Sequence, residues 1–173
     1  MKGFSLVELI VTTAIFCLIF IVIFGIMTEG LRFWHIADAN IELQQDLRRG
    51  LMAMDRQLRQ TRTSQISIPA DDNYYASITF KIPEDTDGDG DTIDASGNIE
   101  WSGNITYSLN ANSQIIRVCP AGALVLANNI SVLQFKRFSG NPEVVEIDVT
   151  AQGAVAPGKI SAINILSLVK VRN

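Results

Sequence analysis

The chain has 173 residues, of which 47% are hydrophobic and 18% are charged, and its formal net charge is −4. This length allows one modest domain with an accessory element, and the composition is that of a globular protein with an apolar addition. The acidity is local, because five aspartates fall within residues 85–94. Basic clusters are lacking after residue 62, so we expect no nucleic-acid partner for this chain.

An apolar run extends from Phe4 to Met27 and is interrupted only by small polar residues and one carboxylate. At 1.5 Å per residue it forms roughly 36 Å of helix, enough to cross a hydrocarbon core. No small-x-small cleavage site follows Met27, which disfavours a conventional secretory signal peptide. Lys2 lies on the short side of the run, so the positive-inside tendency places residues 1–3 in the cytoplasm and the remainder outside.

Glu8 is the carboxylate within this run. A carboxylate in a membrane helix costs on the order of 2.5–3.5 kcal/mol on insertion scales, and such residues usually have a partner. Two interpretations are open at this point. Glu8 either pairs with a cation inside the membrane, or it lies close enough to the membrane edge for its carboxylate to reach the headgroups.

The segment Gly3-Phe4-Ser5-Leu6-Val7-Glu8-Leu9 resembles the cleavage and methylation motif of type IV prepilins and type II secretion pseudopilins. The resemblance covers about the first 30 residues. It implies cleavage after Gly3 by a membrane prepilin peptidase and N-methylation of Phe4. It also implies that Glu8 pairs with the N-terminal amine of a neighbouring subunit's Phe4 during filament assembly. Such a pair would offset the desolvation of both buried charges.

Beyond Met27 the pattern becomes amphipathic, with one apolar face at helical spacing: Leu43, Leu47, Leu51, Met54 and Leu58. The sequence therefore predicts one helix from Phe4 to about Thr61, roughly 87 Å long. We divide the chain into a leader peptide (1–3), a transmembrane half of the helix (4–27), an amphipathic half (28–62) and a β-rich head (63–173).

In the head the hydrophobic period changes to two, which indicates strands. The predicted strands are Gln65–Ile68, Ser77–Ile82, Ile99–Leu109, Gln114–Val118, Val132–Phe138, Val144–Thr150 and Ala162–Val171. No further helices alternate with these strands, so we expect an antiparallel sheet. The predicted fold class is α+β, with the long helix packed on an antiparallel sheet, as in the pilin-like fold.

The head also resembles J-type minor pseudopilins and W-type minor pilins, in the order of Ser77–Ile82, the aspartate-rich segment, Ile105–Leu109 and Leu126–Ile130. K-type subunits are disfavoured, because they typically lack the glutamate found here as Glu8. Many major pilins carry a proline where this chain has Gly25, and this difference favours a minor subunit.

The aspartate-rich loop, residues 85–94, reproduces the first half of an EF-hand-type calcium loop. Carboxylates stand at positions 1, 3 and 5 and a glycine at position 6. Position 12 is Ser96 rather than glutamate, so Asp94 would supply the late carboxylate. The alternative is a solvated acidic loop without a metal ion. We expect calcium, held by ligands from Asp85, Asp87, Asp89, Asp91 and Asp94.

Three functions compete. The first is a minor structural subunit of a type II secretion pseudopilus or a type IV pilus, and the second is a major repeating subunit. The third is a membrane-anchored enzyme, which is disfavoured because the sequence has one histidine and offers no Ser/His/Asp set, Cys–His pair or phosphate-binding loop. For a filament subunit, the expected partners are other pilins or pseudopilins, the prepilin peptidase, an inner-membrane assembly platform and lipid.

Overall fold

The long helix α1 spans Leu6–Leu58 and contains 53 residues. It belongs to a computed structural model that describes residues 5–156 and 159–172. The prediction of one uninterrupted helix is confirmed for this range, although α1 ends at Leu58 rather than near Thr61. The 3₁₀ helix Thr63–Gln65 follows directly.

The two halves of α1 have different surroundings. The N-terminal half is long and apolar enough to cross a membrane, with a mean hydropathy of 3.0 in its most apolar window, and none of that window is buried. Here the hydroxyls of Thr12 and Thr13 donate to the carbonyls of Glu8 and Leu9, at 2.6 and 3.0 Å. These bonds satisfy the hydroxyls without water. The C-terminal half is buried along one face, at Leu43, Leu47, Gly50, Leu51, Met54 and Leu58.

The head is built from strands. In the described part of the chain they are β1 (Tyr74–Tyr75), β2 (Ser77–Phe80), β3 (Ile105–Leu109), β4 (Ile115–Cys119), β5 (Gly122–Ala127), β6 (Ile130–Phe138), β7 (Asn141–Ala156) and β8 (Lys159–Lys170). Every pairing between them is antiparallel, as the sequence predicted.

The strands form two sheets, whereas the sequence led us to expect one. Sheet A has the order β1-β6-β7-β8 and sheet B the order β2-β3-β4-β5. Strands that follow one another in sequence mostly pair locally, as in the long β7–β8 hairpin with Val145 opposite Val169. The division into two sheets depends on distant contacts, for which hydrophobic periodicity contains no signal.

Two predicted strands need correction, and two strands of the structure, β1 and β5, were not predicted. Gln65–Ile68 is not a strand, because it begins in the 3₁₀ helix and contributes only an isolated bridge between Ile66 and Phe80. The first half of Ile99–Leu109 makes isolated bridges only, and the regular strand begins at Ile105. The sequence also failed to predict β5, whose residues 122–125 are all exposed and show no alternation.

The hydrophobic core lies between the buried face of α1 and both sheets, with Tyr107, Phe80 and Phe135 among its largest fully buried side chains. Arg137 is also buried and has carbonyl partners: its guanidinium donates to the carbonyl oxygens of Ile68 at 2.7 Å and of Pro142 at 3.0 Å. Desolvation lowers the pKa of Arg137. These bonds hold the segment after α1 against sheet A.

Candidate functional site

The first candidate site is the N-terminal end of α1. Gly3 and Phe4, the predicted processing residues, lie outside the described residues. Glu8 is in the first turn of the helix, where its backbone N–H donates to Ser5 O at 3.0 Å. Its side chain is exposed and makes no ion pair within residues 5–156 and 159–172. A negative charge here is favourable for the helix dipole, and no described residue supplies a counter-charge to this carboxylate.

The apolar face around Glu8 is continuous. Leu6, Leu9, Phe16 and Phe20 are all at least half exposed, and similar side chains surround the whole circumference up to Met27. A helix that is apolar on all sides is stable only inside a membrane or among other helices. The head supplies no cover for it, because the buried residues of α1 begin at Leu43.

The second candidate site is the aspartate-rich loop, which connects β2 to β3. The loop folds back on itself, so that Pro83 forms a bridge with Trp101 and Ile93 with Ile99. Gly88 and Gly90 have φ values of 84° and 95°, a conformation that favours glycine. Their backbone N–H groups both donate to the carboxylate of Asp85, at 2.6 and 2.9 Å.

This folding brings three carboxylates together. One oxygen each from Asp85, Asp87 and Glu100 lies within 4.8 Å of the other two. Glu100 also accepts hydrogen bonds from the backbone N–H and the hydroxyl of Thr86, at 2.6 and 2.7 Å, which fixes its orientation. Oxygen ligands from several carboxylates suit a hard cation such as calcium. The arrangement could hold a metal ion, and calcium stays a prediction.

The other predicted ligands are placed differently. Asp89 and Asp91 each accept a backbone N–H from the residue two positions later. Asp94 accepts the backbone N–H groups of Ser96 and Asn98, both at 2.8 Å. The hydrogen bonds from Asn98 hold the pKa of Asp94 below its ordinary value. Asp94 therefore stabilises its own turn and is not part of the three-carboxylate group.

Sequence reasoning missed Glu100. A contiguous EF-hand loop has its late carboxylate within twelve positions, a span that includes Asp94 and ends before Glu100. The sequence signal for Glu100 is the alternation Ile99-Glu100-Trp101, which indicates an extended segment after the loop. Such a segment can pair with the residues that precede the loop. The return itself depends on the bridge between Pro83 and Trp101.

A cleft of about 400 Å³ adjoins the loop, and Asp85, Thr86, Arg117 and Cys119 are among its lining residues. Arg117 crosses toward α1, where its Nε donates to Gln57 Oε1 at 3.0 Å. Its Nη1 donates to the sulfur of Cys119 at 3.1 Å. The cleft lies between the loop and sheet B, and Arg117 in its wall contacts α1 through Gln57.

Comparison with known proteins adds no relative. No protein-family model, curated protein or solved structure matches this chain.

Proposed function

We propose that this chain is a structural subunit of a type IV pilin-like filament, either a type II secretion pseudopilus or a type IV pilus. In this proposal the protein is a single-pass precursor in a bacterial inner membrane, with its head outside the cytoplasm. Prepilin peptidase removes residues 1–3, and the mature subunit then joins a periplasmic pseudopilus or an extracellular pilus through its N-terminal helix. A role in protein secretion follows in the first case.

One observation carries the proposal: α1 is a single helix with two environments. Its C-terminal half packs on the head, and its N-terminal half is apolar on every side without any cover from the chain. A simple membrane anchor needs only the apolar half. A filament subunit needs both halves in one rigid rod, because its apolar half must move from lipid to contacts with other helices while the head stays attached. Glu8 lies in the first turn of α1, where its carboxylate would pair with the N-terminal amine of a neighbouring subunit once the helices pack together.

A minor subunit is our first choice, because Gly25 replaces the proline typical of many major pilins. The alternative is a major repeating subunit, which quantitative mass spectrometry of sheared filaments would identify by copy number. A membrane-anchored enzyme is the third possibility, and detection of a catalytic activity in the purified head would favour it.

The test is the N-terminus of the mature protein. We expect protein isolated from its native membrane to begin at Phe4 and to carry one added methyl group, as measured by intact-mass and N-terminal sequencing. Deletion of the prepilin peptidase should restore Met1 as the first residue. A mature chain that still begins at Met1 while the peptidase is active would overturn the proposal.

A further inference from the structure

Strand β8 lies at one edge of sheet A, and one side of it faces away from the sheet. On the inner side, the backbone N–H of Val171 donates to Glu143 O beside β7, at 2.8 Å. Arg172 points the other way and donates to Thr61 O at 3.1 Å. This direction alternates along a strand, so every second residue before Arg172 also directs its N–H and C=O away from β7. These residues are Ile160, Ala162, Asn164, Leu166, Leu168 and Lys170.

We call the outward side of these six residues the β8 edge. Residues 61–63 reach the same side only at the end of the strand, through a parallel bridge between Arg62 and Arg172. Within residues 5–156 and 159–172, no other backbone or side-chain group bonds to the outward N–H and C=O groups of β8. The unpaired length from Ile160 to Leu168 is roughly 26 Å at about 3.3 Å per residue.

The β8 edge lacks the features that protect most exposed edges from pairing with another chain. Charged side chains, prolines and bulges usually serve that purpose. From Ile160 to Val169 the sequence contains neither a charged residue nor a proline, and the register with β7 is regular. Leu166 and Leu168 are 52% and 55% exposed, on the face opposite the buried Val169. An edge of this kind can accept an additional strand.

The charges around the β8 edge are positive. Lys170, Arg172 and Arg62 are exposed at its end, and β8 itself contains no acidic residue. Lys170 contacts Glu143 at 3.3 Å, whereas neither Arg62 nor Arg172 forms an ion pair with another described residue. Two arginines at bridged positions repel each other, and a carboxylate beside them would relieve this repulsion. The β8 edge therefore favours a partner strand with an acidic end.

A second copy of this chain does not supply such a strand. The other strands at the sheet edges, β1, β2 and β5, contain no acidic residue. Pairing between two β8 strands is disfavoured by charge, because parallel pairing in register would place the same lysines and arginines side by side.

Antiparallel pairing between two β8 strands is excluded by the direction of α1. Gly153, opposite Ser161 near the start of β8, packs against Leu43. The end of β8 lies beside Thr61, just after the end of α1. Strand β8 therefore runs in the same direction as α1. Two copies anchored in one membrane have their helices in one direction, so their β8 strands cannot be antiparallel.

We propose that the β8 edge binds an extended segment of a different protein, which adds an antiparallel strand to sheet A. The segment has apolar side chains beside Leu166 and Leu168, and a carboxylate at its N-terminal end beside Arg62 and Arg172. This inference goes beyond the proposed filament function. Only the exclusion of a second copy rests on that function, through the shared membrane anchor.

The test is the binding of a labelled peptide to the full-length chain in detergent micelles, measured by fluorescence anisotropy. The probe has the sequence of residues 143–151, which begins with Glu143 and pairs antiparallel to β8 within the chain, with Val145 opposite Val169. A second peptide carries lysine in place of each acidic residue. We expect the acidic peptide to bind and the lysine peptide to bind at least tenfold more weakly. Equal binding of both peptides, or binding of neither, would overturn the proposal.

Leu166→Pro locates the binding on the β8 edge. The substitution removes an N–H that faces away from β7, so the bonds between β7 and β8 are kept while an added strand is obstructed. Leu166→Ala is the matched control, because it removes the same side chain and keeps the N–H. We expect at least tenfold weaker binding to Leu166→Pro than to Leu166→Ala. Equal affinities would show that the peptide binds elsewhere, for example by exchange with β7, and would overturn the proposal.

Charge reversal tests the same site even if Leu166→Pro does not fold. Arg62→Glu together with Arg172→Glu should weaken binding of the acidic peptide about tenfold and strengthen binding of the lysine peptide. Arg48→Glu, at an exposed arginine of α1 outside the β8 edge, is the matched control and should change neither affinity. Unchanged affinities in the double variant would contradict the proposed acidic partner.

Leu168→Cys distinguishes a second copy from a different protein. The substitution is made in full-length chains lacking Cys17 and Cys119, in their native membrane. We expect no disulfide-linked dimer of the chain, whereas a dimer through position 168 would overturn the assignment to a different protein. Either result leaves the N-terminal processing test of the filament function unaffected.

Discussion

Glu8 is the residue at which a membrane anchor and a filament subunit differ most. We expect Glu8→Ala to leave the protein inserted and folded, because the substitution removes an exposed charge from an apolar stretch and touches no core residue. Incorporation into filaments should fall, as measured by cross-linking to neighbouring subunits through the apolar span. Glu8→Gln is the matched control for side-chain size and should show the same loss. Normal incorporation of both variants would mean that the carboxylate has no role in assembly.

Tyr107 is the buried ionisable residue whose pKa differs most clearly from its ordinary value. It is fully buried in sheet B, its hydroxyl donates to Gln57 Oε1, and desolvation raises its pKa to about 12 from 10.0. Below pH 10 the tyrosine is neutral in both states. Between pH 10 and 12 the unfolded chain loses this proton while the folded chain keeps it, so stability falls as the pH rises. The loss is about 2.7 kcal/mol, because each pKa unit corresponds to about 1.36 kcal/mol.

Tyr107→Phe should remove this part of the alkaline instability. At pH 8 the variant should be less stable by about 1 kcal/mol, because one hydrogen bond is lost. Gln57 keeps Arg117 as a donor at 3.0 Å, so no acceptor is left unsatisfied. Denaturant unfolding of a chain beginning at residue 28, which retains every buried core residue, would measure both values. Equal pH dependence of the two proteins above pH 10 would contradict the assignment to Tyr107.

At the scale of elements, the aspartate-rich loop gives the sharpest test. If Asp85, Asp87 and Glu100 hold calcium, millimolar calcium should raise the melting temperature, and a hundredfold excess over Kd corresponds to about 2.7 kcal/mol. Magnesium should have a much smaller effect, because it demands tighter octahedral geometry. Both measurements use the chain beginning at residue 28 in chelator and in added metal.

Two substitutions separate the site seen in the structure from the one predicted from sequence. Glu100→Gln should abolish most of the calcium response while keeping an acceptor for Thr86. Asp94→Asn, the matched control, should retain the response, because Asp94 bonds its own turn. A calcium response lost in Asp94→Asn but kept in Glu100→Gln would favour the contiguous site. A melting temperature indifferent to calcium in the unsubstituted chain would leave a solvated acidic loop.

The elements also show what periodicity can predict. Helix α1 and strand β7 carry strong signals, because each has one apolar face in the core: Leu47 and Leu51 for the helix, Val145 and Ile147 for the strand. On the other face of β7, polar residues such as Glu146 and Asp148 alternate with these valines and isoleucines in the sequence. Strand β5 carries none, since Leu124 and Val125 are 58% and 46% exposed although they point to opposite faces. A strand that buries neither face over most of its length has no alternation to detect.

The candidate sites follow the same distinction. Glu8 could be found from sequence because its significance depends on neighbours in the same helix. The first two metal-ligand candidates, Asp85 and Asp87, could also be found, because they are two residues apart. Glu100 could not be found in this way, because it approaches them only when Pro83 and Trp101 pair. Sequence motifs therefore identify site residues that are close together in the chain, and they do not identify residues that only the fold brings together.

At the scale of the whole molecule, the two halves of α1 are separate in their packing: the C-terminal half contacts the head, and the N-terminal apolar half does not. Among the described residues the core begins at Leu43, so its packing does not depend on what surrounds the apolar span. Exchange of lipid for protein around the N-terminal half would therefore leave the head unchanged. The filament proposal needs this independence, because assembly moves the span from one environment to the other.

The part of α1 between Met27 and Leu43, its first buried residue, affects how far the head can move. Gly25 and Gly30 have open space around them, so nothing in the described chain braces the helix where it would leave the bilayer. From Met27 to Leu58 the helix rises roughly 46 Å at 1.5 Å per residue. A tilt of about 20°, ordinary for a membrane helix, would swing the far end of the head sideways by roughly 16 Å. In the proposed filament subunit, the head of an unassembled copy would therefore move sideways above the membrane until neighbouring copies restrict it.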